Sequence, residues 1–294
     1  MRHLVSYFND SVKNNWDLPA VTNFGKETYT YGQLAESIAK YHLIFEKMGI
    51  VKGDKVALYA RNSAEWVIAY YATLTYGAVT VPFLPDFLPA AVSELSAFSD
   101  CRMLIVDDIA IRGMNEDVAN YARMETNEDF VGVIDIKGFN VVRDSAKTLS
   151  AVCADIEKLY TKKYPNGITS ADINYYNDSF GMEDVAEISF TSGTTSATSK
   201  GVVLPARSLS VNLEFGLSIV PEGRGGHVFA ILPMAHMFGQ AFDVLFPLSS
   251  GCHVFVMPGK PTPARLIGGL AVVRPFMFLT VPLVIEKIFK SKVF

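Results

Sequence analysis

The sequence is poor in cysteine. Cys101, Cys153 and Cys252 are the only three in 294 residues, and they stand far apart, so neither a disulfide framework nor a CxxC redox or zinc pair can be drawn. Scattered thiols of this kind suit a reducing compartment. The N-terminus, MRHLVSYFNDSVKNNW, lacks the apolar run and small-residue cleavage site of a secretory signal, which points to a cytoplasmic protein. Charge of one sign is lacking too. A formal net charge of -4, with no Lys/Arg block, excludes the basic footprint of a nucleic-acid binder. Several catalytic signatures are missing: there is no GxGxxG, no Walker A Gly-Lys-Ser/Thr, no HExxH and no GxSxG. His3, His42, His227 and His253 show no metal-ligand spacing.

An uninterrupted membrane span is also absent. Residues 66–85 carry no charge and residues 266–285 carry only Arg274. The first run is split by Gly77 and turns β-branched, and the second holds Arg274 and Pro275 near its middle, where a lone Arg costs about 2.5 to 3.5 kcal/mol. Both read as buried helix-plus-strand pairs.

What is present is apolar material: 50% hydrophobic against 19% charged residues, enough for one large or two ordinary domains. Thr30 with Gln33 forms a capping box, followed by Leu34, Ile38, Tyr41, Phe45 and Met48 at helical spacing until Gly49. Residues 55–60 read as a strand. Asn62 with Glu65 reads as a second capping box opening a helix that Gly77 ends, and residues 79–84 resume a strand. Helices are expected over 89–98 and 116–123, strands over 102–106 and 131–136, and one helix over 152–164 in a weakly patterned stretch. After residue 185 the rhythm returns: strand VAEISF, a hydroxyl-rich loop, strand GVVLP, helix 208–218, strand HVFAILP, helix 238–248, strand CHVFVM, a helix from Ala264, strand FMFLTVP and a last helix to Lys290. Apolar strands alternating with helices predict an α/β fold of two parallel-rich sheet subdomains covered by helices, spanning about 1–184 and 185–294.

One segment asks for chemistry. From Thr191 to Lys200, ten residues hold seven hydroxyls, Gly193 and a lysine, directly after a strand. Gly193 lets such a loop arch and aim N–H groups at one anion, and Lys200 adds a positive charge, which suits the β and γ phosphates of ATP. Composition alone would also fit a flexible Ser/Thr-rich linker; the position between two apolar strands favours a phosphate site.

TSGTT followed by a Lys-Gly-Val strand resembles the phosphate signature of the adenylate-forming superfamily, which includes acyl-CoA synthetases, luciferase and peptide-synthetase adenylation domains. The likeness extends through TYTYGQLAESIAKYHLIFEKMGIVKGDKVALYARNSAEWVIAYYATLTYGAVTVPFLP and ILPMAHMFGQAFDVLFPLSSGCHVFV. The tail FLTVPLVIEKIFKS resembles the long-chain fatty acyl-CoA ligase branch. The loop departs from the family pattern at Ser196, Ala197, Thr198 and Ser199, where Gly and Pro are usual and the segment is one residue longer.

The resemblance implies a ligase that activates a carboxylic acid, a fatty acid on the tail's likeness, with ATP and Mg2+ and passes it to CoA. It implies that Thr191, Ser192, Gly193, Thr194, Thr195 and Lys200 bind the ATP phosphates and that His236, in PMAHMFG, lies beside the acyl and adenylate pocket. Without it, His236 reads as a packed or surface histidine. The family's adenine contacts, magnesium-binding Glu, ribose-binding Asp and C-terminal catalytic Lys have no counterpart before Phe294. The expectation is therefore the N-terminal part of a longer enzyme, inactive alone and without the C-terminal catalytic domain. The parent enzyme would have room for peripheral membrane association. Two other readings stay open: a ligase for another acid or a carrier-protein adenylation domain, and a non-catalytic nucleotide-binding module.

Overall fold

The computed structural model describes residues 1–191, 199–220, 223–259 and 261–293. Eleven strands occur among them: β1 Pro19–Asn23, β2 Thr28–Thr30, β3 Lys55–Tyr59, β4 Val79–Phe83, β5 Cys101–Val106, β6 Gly132–Asp135, β7 Val141–Asp144, β8 Val185–Thr191, β9 Lys200–Pro205, β10 His227–Ala230 and β11 His253–Val256. They form a seven-stranded sheet in the order β7-β6-β5-β3-β4-β8-β9 and a four-stranded sheet in the order β10-β11-β1-β2. β6, β5, β3, β4 and β8 run parallel, as do β10, β11 and β1. The outermost β2, β7 and β9 are antiparallel to their neighbours. Each sheet draws on both sides of residue 184: β1 and β2 join the small sheet, and β8 and β9 complete the large one.

The helix Ala64–Tyr76 is the middle layer. It is apolar on every side rather than along one stripe, and twelve of its thirteen residues are buried, as a helix covered on all faces must be. It packs against β1 of the small sheet and against β3 and β4 of the large one. Alternation along the strands divides the large sheet. Val56, Leu58, Met103 and Ile105 join the core that contains this helix, while Ala57, Tyr59, Leu104 and Val106 join a second core under the outer helices Pro89–Phe98, Asp108–Asn115 and Ala119–Met124.

Local signals act as the sequence suggests at Thr30 and Gln33, which form a reciprocal capping box, and at Gly77, whose φ of 83° ends the central helix in the left-handed conformation. Elsewhere tertiary partners change the outcome. The central helix is capped by Ser63, whose hydroxyl accepts from Trp66 N at 3.1 Å, and not by Asn62. The helix expected over 116–123 becomes Asp108–Asn115 and Ala119–Met124, the first capped by Asp107. The one expected over 152–164 is broken at Asp155 into Leu149–Ala154 and Ile156–Lys163.

Residues 238–248 do not form one α-helix: Met237–Gly239 is followed by the π-helix Gln240–Leu245 and the short α-helix Phe246–Ser249. Pro247 has no N–H to donate to the Asp243 carbonyl, so an unbroken i→i−4 ladder is impossible there. The strand expected in FMFLTVP is reduced to one bridge, Met277 to Val228, between the helices Pro263–Val273 and Pro282–Val293. All three cysteines are buried free thiols. No helix among the described residues is long and apolar enough to cross a membrane.

Because Asn62 is engaged elsewhere, it cannot take over the cap. Ser63→Ala is expected to cost about 1 kcal/mol in denaturant unfolding, and an unchanged midpoint would show that the cap does not hold this helix.

Candidate active site

The parallel strands of the large sheet end along one edge, and the loops leaving β3, β4 and β5 meet those leaving β10 and β11 there. Between them lies a cleft of about 430 Å³. Ligand sites of open α/β sheets collect at such carboxyl ends. The walls are mainly apolar, with Ile109, Ala110, Ile231, Leu232, Val281 and Val284 contributing.

Three side chains set the shape of this edge. Asp107, buried at the end of β5, accepts from Arg61 Nε at 2.5 Å and from Arg61 N at 3.1 Å through one oxygen. Its other oxygen accepts from Ile109 N at 3.1 Å and Ala110 N at 2.9 Å, capping the following helix. Tyr59 donates to the Phe87 carbonyl at 2.7 Å and holds the loop after β4. Asn62 joins the two sheets: its Nδ2 donates to the Leu232 carbonyl at 2.6 Å, and its Oδ1 accepts from Met234 N at 2.9 Å. A side-chain amide has both a donor group and an acceptor group, and here each bonds the backbone that leads to His236.

The sequence-predicted residues fall around this edge. Thr191 and Lys200 form the last residue pair of the β8–β9 ladder, with the Thr191 hydroxyl 3.5 Å from the Lys200 carbonyl, and both are exposed. Phe190 stacks on Phe83, with ring centroids 5.7 Å apart, which sets the end of β8 beside the end of β4. Ser192, Gly193, Thr194 and Thr195 lie outside the described residues, so nothing is added here to their expected phosphate role. His236 is exposed and does not line the cleft. Its Nδ1 accepts from Phe238 N at 3.3 Å and caps the turn Met237–Gly239, which leaves Nε2 as the ring's N–H donor. Two other histidines serve packing: His42 is half-buried with its Nε2 against the Ala72 carbonyl and the Thr75 hydroxyl, and His253 bonds Thr22. Among the described residues no group of three His, Cys, Asp or Glu is placed to hold a metal ion.

Two buried acids escaped the sequence reading. Glu187 on β8 is fully buried, accepting from Tyr70 OH at 2.9 Å and from Gln240 Nε2 at 2.8 Å, and loss of hydration pushes its carboxyl up to about 7. Asp243 in the π-helix accepts from Leu232 N at 3.4 Å, and burial pushes its carboxyl up to about 8. The available signal was a single acid in an otherwise apolar stretch, VAEISF and AFDVLF.

For Asp243 the folded chain holds a proton between pH 3.8 and about 8 that the unfolded chain releases, so this group lowers stability as pH rises through that window. Asp243→Asn is expected to gain stability relative to the parent as pH is raised from about 5 to about 8, measured by denaturant unfolding at each pH. A difference that does not change with pH would contradict the assignment.

Residues 8–294 match the family model described as AMP-binding enzyme. Among curated proteins, a 3-hydroxybenzoate–CoA ligase of Aromatoleum sp. (strain CIB) is 24% identical over 282 residues, covering 94% of this chain and 48% of that protein. A long-chain-fatty-acid–CoA ligase of Escherichia coli O6:H1 is 25% identical over 269 residues, covering 84% and 45%. The chain thus spans about half the length of these curated relatives. The N-terminal domain of FACL13 from Mycobacterium tuberculosis superposes with a TM-score of 0.75 at 20% identity, covering 98% of this chain and 65% of that one, a likeness of fold. With a match that takes in nearly the whole sequence, and the fold to accompany it, the chain belongs to the AMP-binding enzyme family.

Proposed function

We propose that this chain is the acid- and nucleotide-receiving part of an AMP-forming ligase that activates a fatty acid and passes it to CoA. The observation that carries the reading is the apolar cleft at the carboxyl ends of the strands, on the same edge of the large sheet as the end of β8, where the hydroxyl-rich segment begins. Walls of Ile109, Ile231, Leu232, Val281 and Val284 suit a hydrocarbon chain, and burying one CH₂ there is worth about 0.8 kcal/mol.

In this reaction the carboxylate attacks the α-phosphate of ATP in line, the bond to pyrophosphate breaks, and an acyl-adenylate remains. The CoA thiol then displaces AMP. The protein's part is positioning and charge neutralisation. Thr191, Ser192, Gly193, Thr194, Thr195 and Lys200 are assigned to the departing pyrophosphate, and His236 to the rim of the acyl and adenylate pocket. ATP would arrive as its magnesium complex; the described residues offer no ligand set for the metal, and no step is assigned to it here.

The relatives include a hydroxybenzoate ligase as well as a fatty-acid ligase, so an aromatic acid is the second reading. Because those relatives are about twice as long, the activity is assigned to the whole protein, and the 294 residues alone are expected not to turn over.

Acid-dependent ATP–pyrophosphate exchange tests this. The full-length protein should exchange with long-chain acids in preference to benzoates, and Lys200→Ala should lower the rate on the order of 100-fold. Preference for benzoates would select the second reading. Nucleotide binding without exchange on any acid would identify a non-catalytic module, and exchange by the 294 residues alone at the full-length rate would refute the division of labour.

A further inference from the structure

Glu187 and Gln240 form an incomplete pair. Gln240 Nε2 donates to Glu187 Oε2 at 2.8 Å, and the same oxygen accepts from Tyr70 OH at 2.9 Å. Glu187 Oε1 and Gln240 Oε1 are both buried without a hydrogen-bond partner. Two acceptor oxygens on adjoining groups, each without a donor, is a costly arrangement. It is also one that a single proton resolves. A carboxyl and a primary amide have the same two-atom width, so once one N–H···O bond forms, a proton on the free carboxyl oxygen faces the amide oxygen.

We propose that Glu187 is a positioning residue held as the neutral carboxylic acid, its Oε1–H donating to Gln240 Oε1, so that a two-bond pair ties β8 to the helical segment that follows His236. β8 runs from Glu187 into Thr191 and the hydroxyl-rich segment, and Gln240 N donates to the His236 carbonyl at 2.9 Å. The pair therefore joins the two stretches assigned to phosphate and to the acyl pocket, from within the core. The functional consequence rests on the ligase reading; the protonation of Glu187 does not.

The surroundings favour the neutral form. From the helix Ala64–Tyr76 the carboxyl meets Tyr70, whose phenol burial keeps protonated. From β4, Thr80 lies opposite in the strand register, and from the π-helix comes Gln240. Asp243, one turn further on, turns to Leu232 N instead. Among the described residues no Lys, Arg or His forms an ion pair with Glu187, and its raised value near 7 agrees with a buried acid that lacks a cation. Above neutrality the pair loses its second bond, the carboxylate stays buried, and the two segments are held less tightly.

Infrared and NMR spectra of the 294-residue chain test this without any assay of activity. At about pH 5.5 a carboxylic-acid carbonyl band should be present that Glu187→Gln removes, and it should fade with a midpoint near pH 7. The Gln240 side-chain amide resonances should move with that same midpoint, and in Glu187→Gln this movement should be lost while the resonances keep their low-pH positions, because an amide also completes the two-bond pair. Glu187→Leu, of similar volume but without polar atoms, should displace the β8 and His236 resonances at every pH. Should Glu187→Gln fail to fold, the Gln240 side-chain amide resonances of the parent decide: a shift centred near pH 7 supports the shared proton. Absence of the band and of that shift, or β8 and His236 resonances in Glu187→Leu that match the parent, would overturn the proposal.

Discussion

The structure depends on burying the helix Ala64–Tyr76 between two sheets. Trp66 and Tyr70 are fully covered, but a helix with no solvent-facing side must also find partners for its polar groups inside the protein. Part of that need is met by partners on both sheets, while the Trp66 indole N–H and the Tyr71 hydroxyl are buried without one. Ser63 accepts from Trp66 N, while Asn23 at the end of β1 accepts from Ala64 N at 2.8 Å and donates toward Glu65. At mid-helix, Tyr70 donates to Glu187 on β8. The same interactions that make the helix burial tolerable fix the small sheet's position relative to the large one.

That registration forms the site. Asn62, immediately before the helix, holds the backbone at Leu232 and Met234, so the chain that reaches His236 is placed by a residue from the other sheet. Arg61, one position earlier, is locked to Asp107 at the end of β5. The apolar cleft opens among these loops, walled by residues from both sheets. Its polar edge residues Tyr59, Arg61, Asn62 and Asp107 are engaged in holding loops.

Signals within one element were legible from sequence. Thr30 with Gln33, Gly77 with its left-handed backbone, and the apolar strands around residues 55–60 and 79–84 work through neighbours a few positions away. Long-range decisions were not. Asn62 and Ser63 are both competent caps, and the choice was made by backbone about 170 residues later, to which Asn62 is bound. β1 pairs with β11 only because the chain returns after more than two hundred residues, which no local pattern announces. The π-helix follows from Pro247 together with the buried partners of Gln240 and Asp243, so the apolar periodicity of 238–248 suggested a simpler helix. The hydroxyl-rich segment stood out by composition, whereas Glu187 needed its fully buried surroundings to gain meaning.

The central claim is that one buried helix couples the strand leading to the hydroxyl-rich segment with the chain that carries His236. Hydrogen–deuterium exchange of Tyr70→Phe tests it most directly, since this change removes one hydroxyl and keeps the ring's packing. The account predicts faster amide exchange in both β8 and residues 237–249, with β6, β7 and the helix Ile156–Lys163 unchanged. Faster exchange confined to the helix that bears Tyr70, with β8 and residues 237–249 as in the parent, would contradict it.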